Sequence, residues 1–285
     1  MTQIRELLAS GTTFSFEFFP PKDDREQRLL TTTIRDLEPL RPSFVSVTYR
    51  GGAASRTRTT AVVADILRTT TLTPMAHLTC VAHPRLELGE VMGGFRAAGV
   101  ENLLALGGDP LPEGQGFTEV RFASELVQLA RRVGFESVGV AAHPAGHPRS
   151  PDIATDRRYL AAKLELADFA ITQFFFKVEE YLQMREELAA LGMRKPIVAG
   201  IMPITSLASV QRMAELSGYQ VPADIVDRVT AGGDDHEEIR KRGIDLATEL
   251  CADLLEEQVA GLHFYTLNFS RATREVYAKL GLVRD

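Results

Sequence analysis

Phe14-Ser15-Phe16-Glu17-Phe18-Phe19-Pro20-Pro21 reads as a strand with a fixed end. Aromatic residues favour a pleated, half-buried surface. Pro20 and Pro21 lack the N–H that would extend a ladder, so the strand stops there. Glu17 therefore falls at the carboxyl end of a strand, among phenyl rings. Burial among apolar groups disfavours a carboxylate, which makes Glu17 a candidate proton donor near neutral pH. A strand-end carboxylate paired with a Lys or Arg fits the same residues, and this stretch alone does not separate the two.

Working outward, residues 25–40 carry Leu29, Leu30, Ile34, Leu37 and Leu40 at three- and four-residue steps, the period of an amphipathic helix. The alternation then repeats. Strand patterns at 43–49, 75–80, 102–106, 137–142, 169–175, 196–202 and 261–267 are separated by helical ones. The helical stretches are 56–67, 87–98, 119–133, 151–167 and 178–191, then 207–216, 223–229 and 235–257, and finally 272–280. Gly99, Gly134 and Gly192 stand where helices end, and Pro42, Pro74 and Pro203 bound strands. Eight strands alternating with helices predict an α/β fold, a closed (β/α)8 TIM barrel forming a single domain over residues 1–285. A doubly wound open sheet is the rival, but no Gly-x-Gly-x-x-Gly follows the first strand.

Composition narrows the function classes. A net charge of −6 argues against a nucleic-acid surface. Only Cys80 and Cys251 are present, so no disulfide framework arises and a reducing cytoplasm is expected. Met1 to Ser10 lacks the apolar run of a signal peptide, and no stretch has the roughly 18 apolar residues of a membrane span. His77, Cys80 and His83, with His143 and His147, match no tight metal-ligand spacing, so no metal is expected. Arg240-Lys241-Arg242 reads as a solvated helix face, and Met184, Met193, Met202 and Met213 as core fillers.

Barrel enzymes carry their chemistry at the carboxyl ends of the strands. Those ends hold Glu17, Thr48, His77, Asp109, His143, Gln173, Met202, Tyr265 and Asn268. Polar residues at the ends of apolar strands are hard to explain by packing alone. Glu17 and Asp109 suit a division of labour between a protonated donor and an ionised group that stabilises a cation. Asp109 also suits a turn cap beside Gly107 and Gly108.

Taken together, Phe14 to Pro21, Val45-Ser46-Val47-Thr48-Tyr49, His77-Leu78-Thr79-Cys80, Gly108-Asp109, Ile171 to Phe176 and His263-Phe264-Tyr265-Thr266-Leu267-Asn268 resemble methylenetetrahydrofolate reductase. The resemblance runs through essentially the whole chain, in order. It implies reduction of 5,10-methylenetetrahydrofolate to 5-methyltetrahydrofolate with NAD(P)H and usually a bound FAD, a step of one-carbon metabolism that serves methionine biosynthesis. The chain resembles the short bacterial type, which has no C-terminal regulatory domain. By the same resemblance Glu17 is the general acid that opens the folate ring to an N5-iminium, and Asp109 contacts the pterin. Gln173 contacts the substrate, as do Asn268 and Arg271. Thr48, His77, Gly108, His147, Asp156, Lys163 and Tyr265 fall at flavin-contacting positions.

Departures from the family pattern are concentrated on the flavin side. Where the family commonly reads Ala-Leu-Arg-Gly-Asp, this chain has Ala105-Leu106-Gly107-Gly108-Asp109 and so lacks a guanidinium. Ala-Tyr-Pro-Glu becomes Ala142-His143-Pro144-Ala145; a tyrosine becomes Phe122, an asparagine Tyr159 and a basic residue Ala162. Near the folate, Phe269 and Ser270 separate Asn268 from Arg271, and Ser209 aligns with an expected Gln. The expectation is a reductase with weak or absent FAD that passes hydride directly from NADH (or NADPH) to the folate. The alternatives are retained FAD held by substitute contacts from His143, Arg157 or Arg158, a non-catalytic folate binder, and a pterin-binding methyltransferase barrel.

Overall fold

Along the strand Thr13–Phe18, β1, side chains alternate between two faces. Phe14 and Phe16 turn outward onto Tyr277, with ring centroids 6.0 and 5.4 Å apart. Ser15 and Glu17 turn inward. The same alternation runs through β2 (Phe44–Val47), β3 (Pro74–Thr79), β4 (Asn102–Leu106), β5 (Ser137–Ala142), β6 (Phe169–Thr172), β7 (Ile197–Ile201) and β8 (Gly261–Tyr265). In this computed structural model, which describes residues 2–49, 53–81, 83–109, 119–233 and 235–283, the strands pair in parallel in chain order and β8 closes on β1. The fold is the predicted closed (β/α)8 barrel.

The helices are α1 (Ile4–Ser10), α2 (Asp24–Leu37), α3 (Ala53–Thr69), α4 (Arg85–Ala97), α5 (Ala123–Val133), α6 (Ile153–Leu166), α7 (Val178–Ala190), α8 (Leu207–Leu216), α9 (Ala223–Thr230), α10 (His236–Glu256) and α11 (Arg271–Lys279). Their apolar faces and the outward strand residues form one continuous shell that includes Phe16, Phe18, Phe95, Met184 and Phe264. Each such side chain stabilises the fold by roughly 1.5–3 kcal/mol through removal from water. A second core fills the barrel itself: Phe44, Met75, Leu104, Phe169, Ile171 and Val198. Phe169 reaches across to β5, where a Cβ on Gly139 would stand 2.4 Å from its ring. A third cluster, with Phe174, Met202, Ile204 and Val210, joins the β6 and β7 loops to α8 and α9.

Several boundaries differ from the sequence reading. The short helix α1 was not anticipated. Its Ile4 and Leu8, one turn apart, join the interior core and plug the amino-terminal end of the barrel. Asn102 holds it there, its Oδ1 accepting from the Ile4 N–H at 2.8 Å. The helix expected over 25–40 gives way to a 3-10 turn, Glu38–Leu40, at Pro39, which has no N–H to continue it. The helix expected from 119 starts at Ala123, because the Glu125 carboxylate reaches back to the Arg121 and Phe122 N–H groups. β6 ends at Thr172 instead of continuing to 175. Gln173 N makes a last bond to Ala142 O at 2.7 Å, after which Phe174 and Phe175 leave for separate clusters. The Arg50-Gly51-Gly52 turn and Pro110 lie outside the described residues. No described helix is long and apolar enough to cross a membrane.

Candidate active site

Inward parity puts Glu17 at the centre of the barrel mouth. Its Oε2 lies 3.7 Å from Nε2 of His77 on β3 and 3.7 Å from Nε2 of His263 on β8. These neighbours correct the expectation of phenyl rings: Phe16 and Phe18 occupy the opposite face of the strand, among the helices. Among the described residues no Lys or Arg pairs with Glu17 either; its basic neighbours are imidazoles.

His263 was quoted above only as part of a motif, yet it is the most completely enclosed polar group of the site. Its Nδ1 lies 2.7 Å from Ser15 Oγ and its Nε2 3.3 Å from Ser46 Oγ, and its ring stacks on Phe44. Ser15 Oγ donates to the Leu262 carbonyl at 3.4 Å, so it accepts from His263 Nδ1–H. We assign that tautomer from the hydrogen-bond pattern. The Nε2 lone pair then faces Ser46, with the Glu17 carboxyl 3.7 Å away. Strand parity would have revealed this residue: on β8, His263 and Tyr265 share a face, as do Ser15 and Glu17 on β1.

His77 is buried, and that burial pushes its pKa down to about 4, with Glu17 opposing the shift and His263 adding to it. It is neutral at pH 7. Its Nε2 has no hydrogen-bond partner, and neither have the buried hydroxyls of Thr48 and Thr79 beside it. Tyr265 donates to Thr172 O at 2.6 Å, and burial together with Glu17 raises its pKa well above the usual phenol range. Three orphaned polar atoms, on β3 and just past the end of β2, thus face the same mouth as the carboxylate.

The other side of the mouth is built by the β4 and β5 loops. Gly108 has φ 85°, and a Cβ there would stand 2.4 Å from Val81, so only glycine fits. Asp109 follows it, exposed. In the β5 loop the rings of His143 and His147 meet edge to face at 4.6 Å. Burial pushes His143 down to about 3 and also lowers His147, with Arg149 contributing to both shifts. Asp156 and Arg157 clamp this loop. Asp156 Oδ1 accepts from His147 N at 3.0 Å and from Ser150 Oγ at 2.8 Å. Arg157, buried, donates to Asp156, Glu187 and the carbonyls of His143 and Pro144. Lys163 donates to Ala141 O at 2.6 Å, and burial pushes its pKa down to about 8 against the pull of Asp156.

A cavity of about 250 Å³ lies between the β5 loop, Gln173–Phe175 and Ser217–Tyr219. Gln173 is tied at its rim: Nε2 donates to Ser217 Oγ at 3.0 Å and Oε1 accepts from Phe174 N. The structure thus gathers Glu17, Thr48, His77 and Tyr265 on one side and Gly108, Asp109, His147, Asp156 and Lys163 on the other. Asn268 and Arg271 do not join them. The buried Asn268 amide is taken up by the backbone of Phe19, accepting from its N–H at 2.8 Å and donating to its carbonyl at 2.9 Å, which ties the β8 loop to the β1 loop. Arg271 opens α11, exposed, with Glu275 at 3.1 Å and Glu237 at 3.5 Å. His83 bonds Tyr49 at 2.6 Å and Cys80 donates to Gly107 O, so these two face separate partners. No group of three or more His, Cys, Asp or Glu among the described residues could hold a metal ion.

Residues 3–281 match the sequence profile of the family described as Methylenetetrahydrofolate reductase. The chain belongs to that family. It is 36% identical over 273 residues to 5,10-methylenetetrahydrofolate reductase of Pectobacterium carotovorum subsp. carotovorum, covering 95% of this chain and 91% of that one. Identity to the Escherichia coli (strain K12) enzyme of the same name is 34%, covering 94% and 90%. Methylenetetrahydrofolate reductase 1 of Schizosaccharomyces pombe is 34% identical, but this chain spans only 46% of its length. Among solved structures, a Clostridium thermocellum protein described as binding two copies of 5-methyl-5,6,7,8-tetrahydrofolic acid superposes with a TM-score of 0.73 at 13% identity, covering 99% of this chain and 98% of that one. That likeness shows the shared fold. As a member of that family, the chain is an enzyme of folate reduction.

A methylenetetrahydrofolate reductase that retains FAD must hold both a polar ring and a diphosphate. The orphaned atoms of Thr48, His77 and Thr79 fit the edge of a heteroaromatic ring. At the diphosphate end the buried cations among the described residues are already engaged. Arg157 is occupied by the loop clamp, Lys163 is turned to Ala141 O, and the two imidazoles are held neutral. Arg158, exposed, donates to Thr155 Oγ1. Of the substitute contacts named from the sequence, Arg157 and His143 are thus committed or uncharged. Each missing charge-assisted contact forgoes roughly 1.5–3 kcal/mol.

Proposed function

We propose that this chain reduces 5,10-methylenetetrahydrofolate to 5-methyltetrahydrofolate with hydride taken directly from NADH, without a resident flavin. The observation that carries this reading is the pairing of an inward-facing carboxyl at Glu17 with a β4–β5 side whose buried cations, Arg157 and Lys163, are already engaged. A hydride donor that leaves after each turnover needs less fixed charge than a permanent cofactor. NADH therefore enters as a substrate beside the folate.

Glu17, protonated, donates to N10 of the folate as the methylene–N10 bond breaks, leaving the N5-iminium cation. Neutral His77 beside Glu17 adds no positive charge against that cation. Asp109 stabilises it across the mouth by its negative charge. Hydride then passes from C4 of the dihydronicotinamide to the methylene carbon, giving the N5-methyl group and NAD+. Thr48, His77 and Thr79 offer the orphaned polar atoms that orient the dihydronicotinamide ring near ~3–3.5 Å from its acceptor. Gln173 contacts the pterin after exchanging Ser217 for it.

A second reading, a bound FAD, is supported by those same orphaned atoms, which also suit a flavin edge. The two separate on flavin content. Untagged protein purified from cells grown with ample riboflavin is expected to release well under one FAD per chain on denaturation while remaining active with added NADH. Stoichiometric FAD would overturn the flavin-free reading.

A further inference from the structure

The glycine that replaces the family's usual arginine leaves open space at residue 107. Among the described residues, the only atom within 4 Å of a Cβ built on Gly107 is Nη2 of Arg149, at 3.8 Å. Arg149 comes from a different loop, the one after β5, and its Nη2 donates to Gly108 O at 3.1 Å. A guanidinium is therefore present just in front of residue 107, carried by a neighbouring strand's loop. Its backbone is fixed: Arg149 N donates to His147 Nδ1 at 3.1 Å, and the Asp156 clamp holds His147 and Ser150.

The charge is also available. Among the described residues no carboxylate lies within ion-pairing distance of Arg149, in contrast to Arg157 beside it in the same clamp. Its neighbours include the neutral His143 and His147 rings, which line the adjacent cavity together with Phe174, Tyr219 and the carboxylates of Asp152 and Glu180; Arg149 stands just outside that lining. A planar fork donor next to two uncharged imidazoles is chemistry suited to a phosphate joined to a nucleoside.

We propose that Arg149 binds the pyrophosphate of the nicotinamide dinucleotide, supplying from the β5 loop the guanidinium that residue 107 lacks. This rests on the reading of NADH as the hydride donor. The Arg149 side chain is exposed and, among the described residues, has one hydrogen-bond partner, so it releases its ligand readily. That suits a dinucleotide exchanged at every turnover.

The test compares the unmodified enzyme with Arg149→Gln and with Gly107→Arg/Arg149→Gln, reading dissociation constants for NADH by fluorescence and for ADP-ribose by competition. Arg149→Gln is expected to weaken both by about 10–100-fold. It should leave melting temperature, kcat and the folate KM nearly unchanged. Reduction driven by N-methyl-dihydronicotinamide, which has no phosphate, should be unaffected, as a merely structural role would not predict. The double variant should recover part of the ADP-ribose affinity, because residue 107 has room for a side chain. If the unmodified enzyme binds neither NADH nor ADP-ribose, the hydride-donor reading itself fails. Should it bind both and Arg149→Gln bind them equally well, the Arg149 assignment is overturned and that reading stands. Lost affinity with no recovery in the double variant would overturn the claim that Arg149 stands in for residue 107.

Discussion

Glu17→Gln is expected to fold like the parent and to lose roughly two to four orders of magnitude in kcat. The amide keeps the shape and the inward position of the carboxyl but has no acidic proton to give N10. The surroundings make this a clean substitution. Glu17 carries no Lys or Arg partner among the described residues, so removing its charge strands no cation. His77 Nε2 and His263 Nε2 stand 3.7 Å from the carboxyl, beyond hydrogen-bond distance, so the amide breaks no hydrogen bond to either ring. Folate binding, followed by equilibrium titration, should change much less than turnover. Unaltered turnover in a folded variant would assign the acid elsewhere.

Gly200→Ala is expected to have the largest effect on the barrel itself. A Cβ at residue 200 would stand 2.2 Å from Thr172 O, 2.8 Å from Cε2 of Tyr265 and 2.9 Å from its hydroxyl. The carbonyl belongs to the β6 backbone and cannot rotate away. The added methyl must therefore displace Tyr265, break its 2.6 Å bond to Thr172 O and shift the β6–β7 pairing. Overpacking of this kind costs typically about 1–3 kcal/mol. The lost buried hydrogen bond adds roughly 1–3 kcal/mol for the stranded hydroxyl. A fall of several degrees in melting temperature, with turnover lost alongside, is the expected result. A variant as stable and active as the parent would contradict the packing of Tyr265 against β7.

What the sequence made legible follows from where its signals were strong. β4 and β5 were located to the residue because short apolar runs stand between sharp breakers, Gly107 after one and His143-Pro144 after the other. β6 was read too long because Phe174 and Phe175 continue an aromatic run that hydrogen bonding does not. α1 was missed because a short helix with two core residues has almost no periodicity to detect. The acid was found at a strand end, but its neighbours were assigned to the wrong face. Phe16 and Phe18 adjoin Glu17 along the chain and point the opposite way. His263, distant in sequence, is the residue beside it. Asn268 carried a motif signal, whereas its contacts with Phe19 depend on a loop closure that spacing does not express. Arg149 was invisible for a related reason: the departure at Gly107 is local, and its counterpart lies on another loop.

The central claim is that hydride reaches the folate from the nicotinamide with no flavin between them. The most direct test is a single turnover of the enzyme as purified, with stereospecifically C4-deuterated NADH and 5,10-methylenetetrahydrofolate. The predicted result is one deuterium in the methyl group of 5-methyltetrahydrofolate, formed only when both substrates are present together. Oxidation of NADH by the enzyme alone, followed by folate reduction in a separate half-reaction, would contradict it.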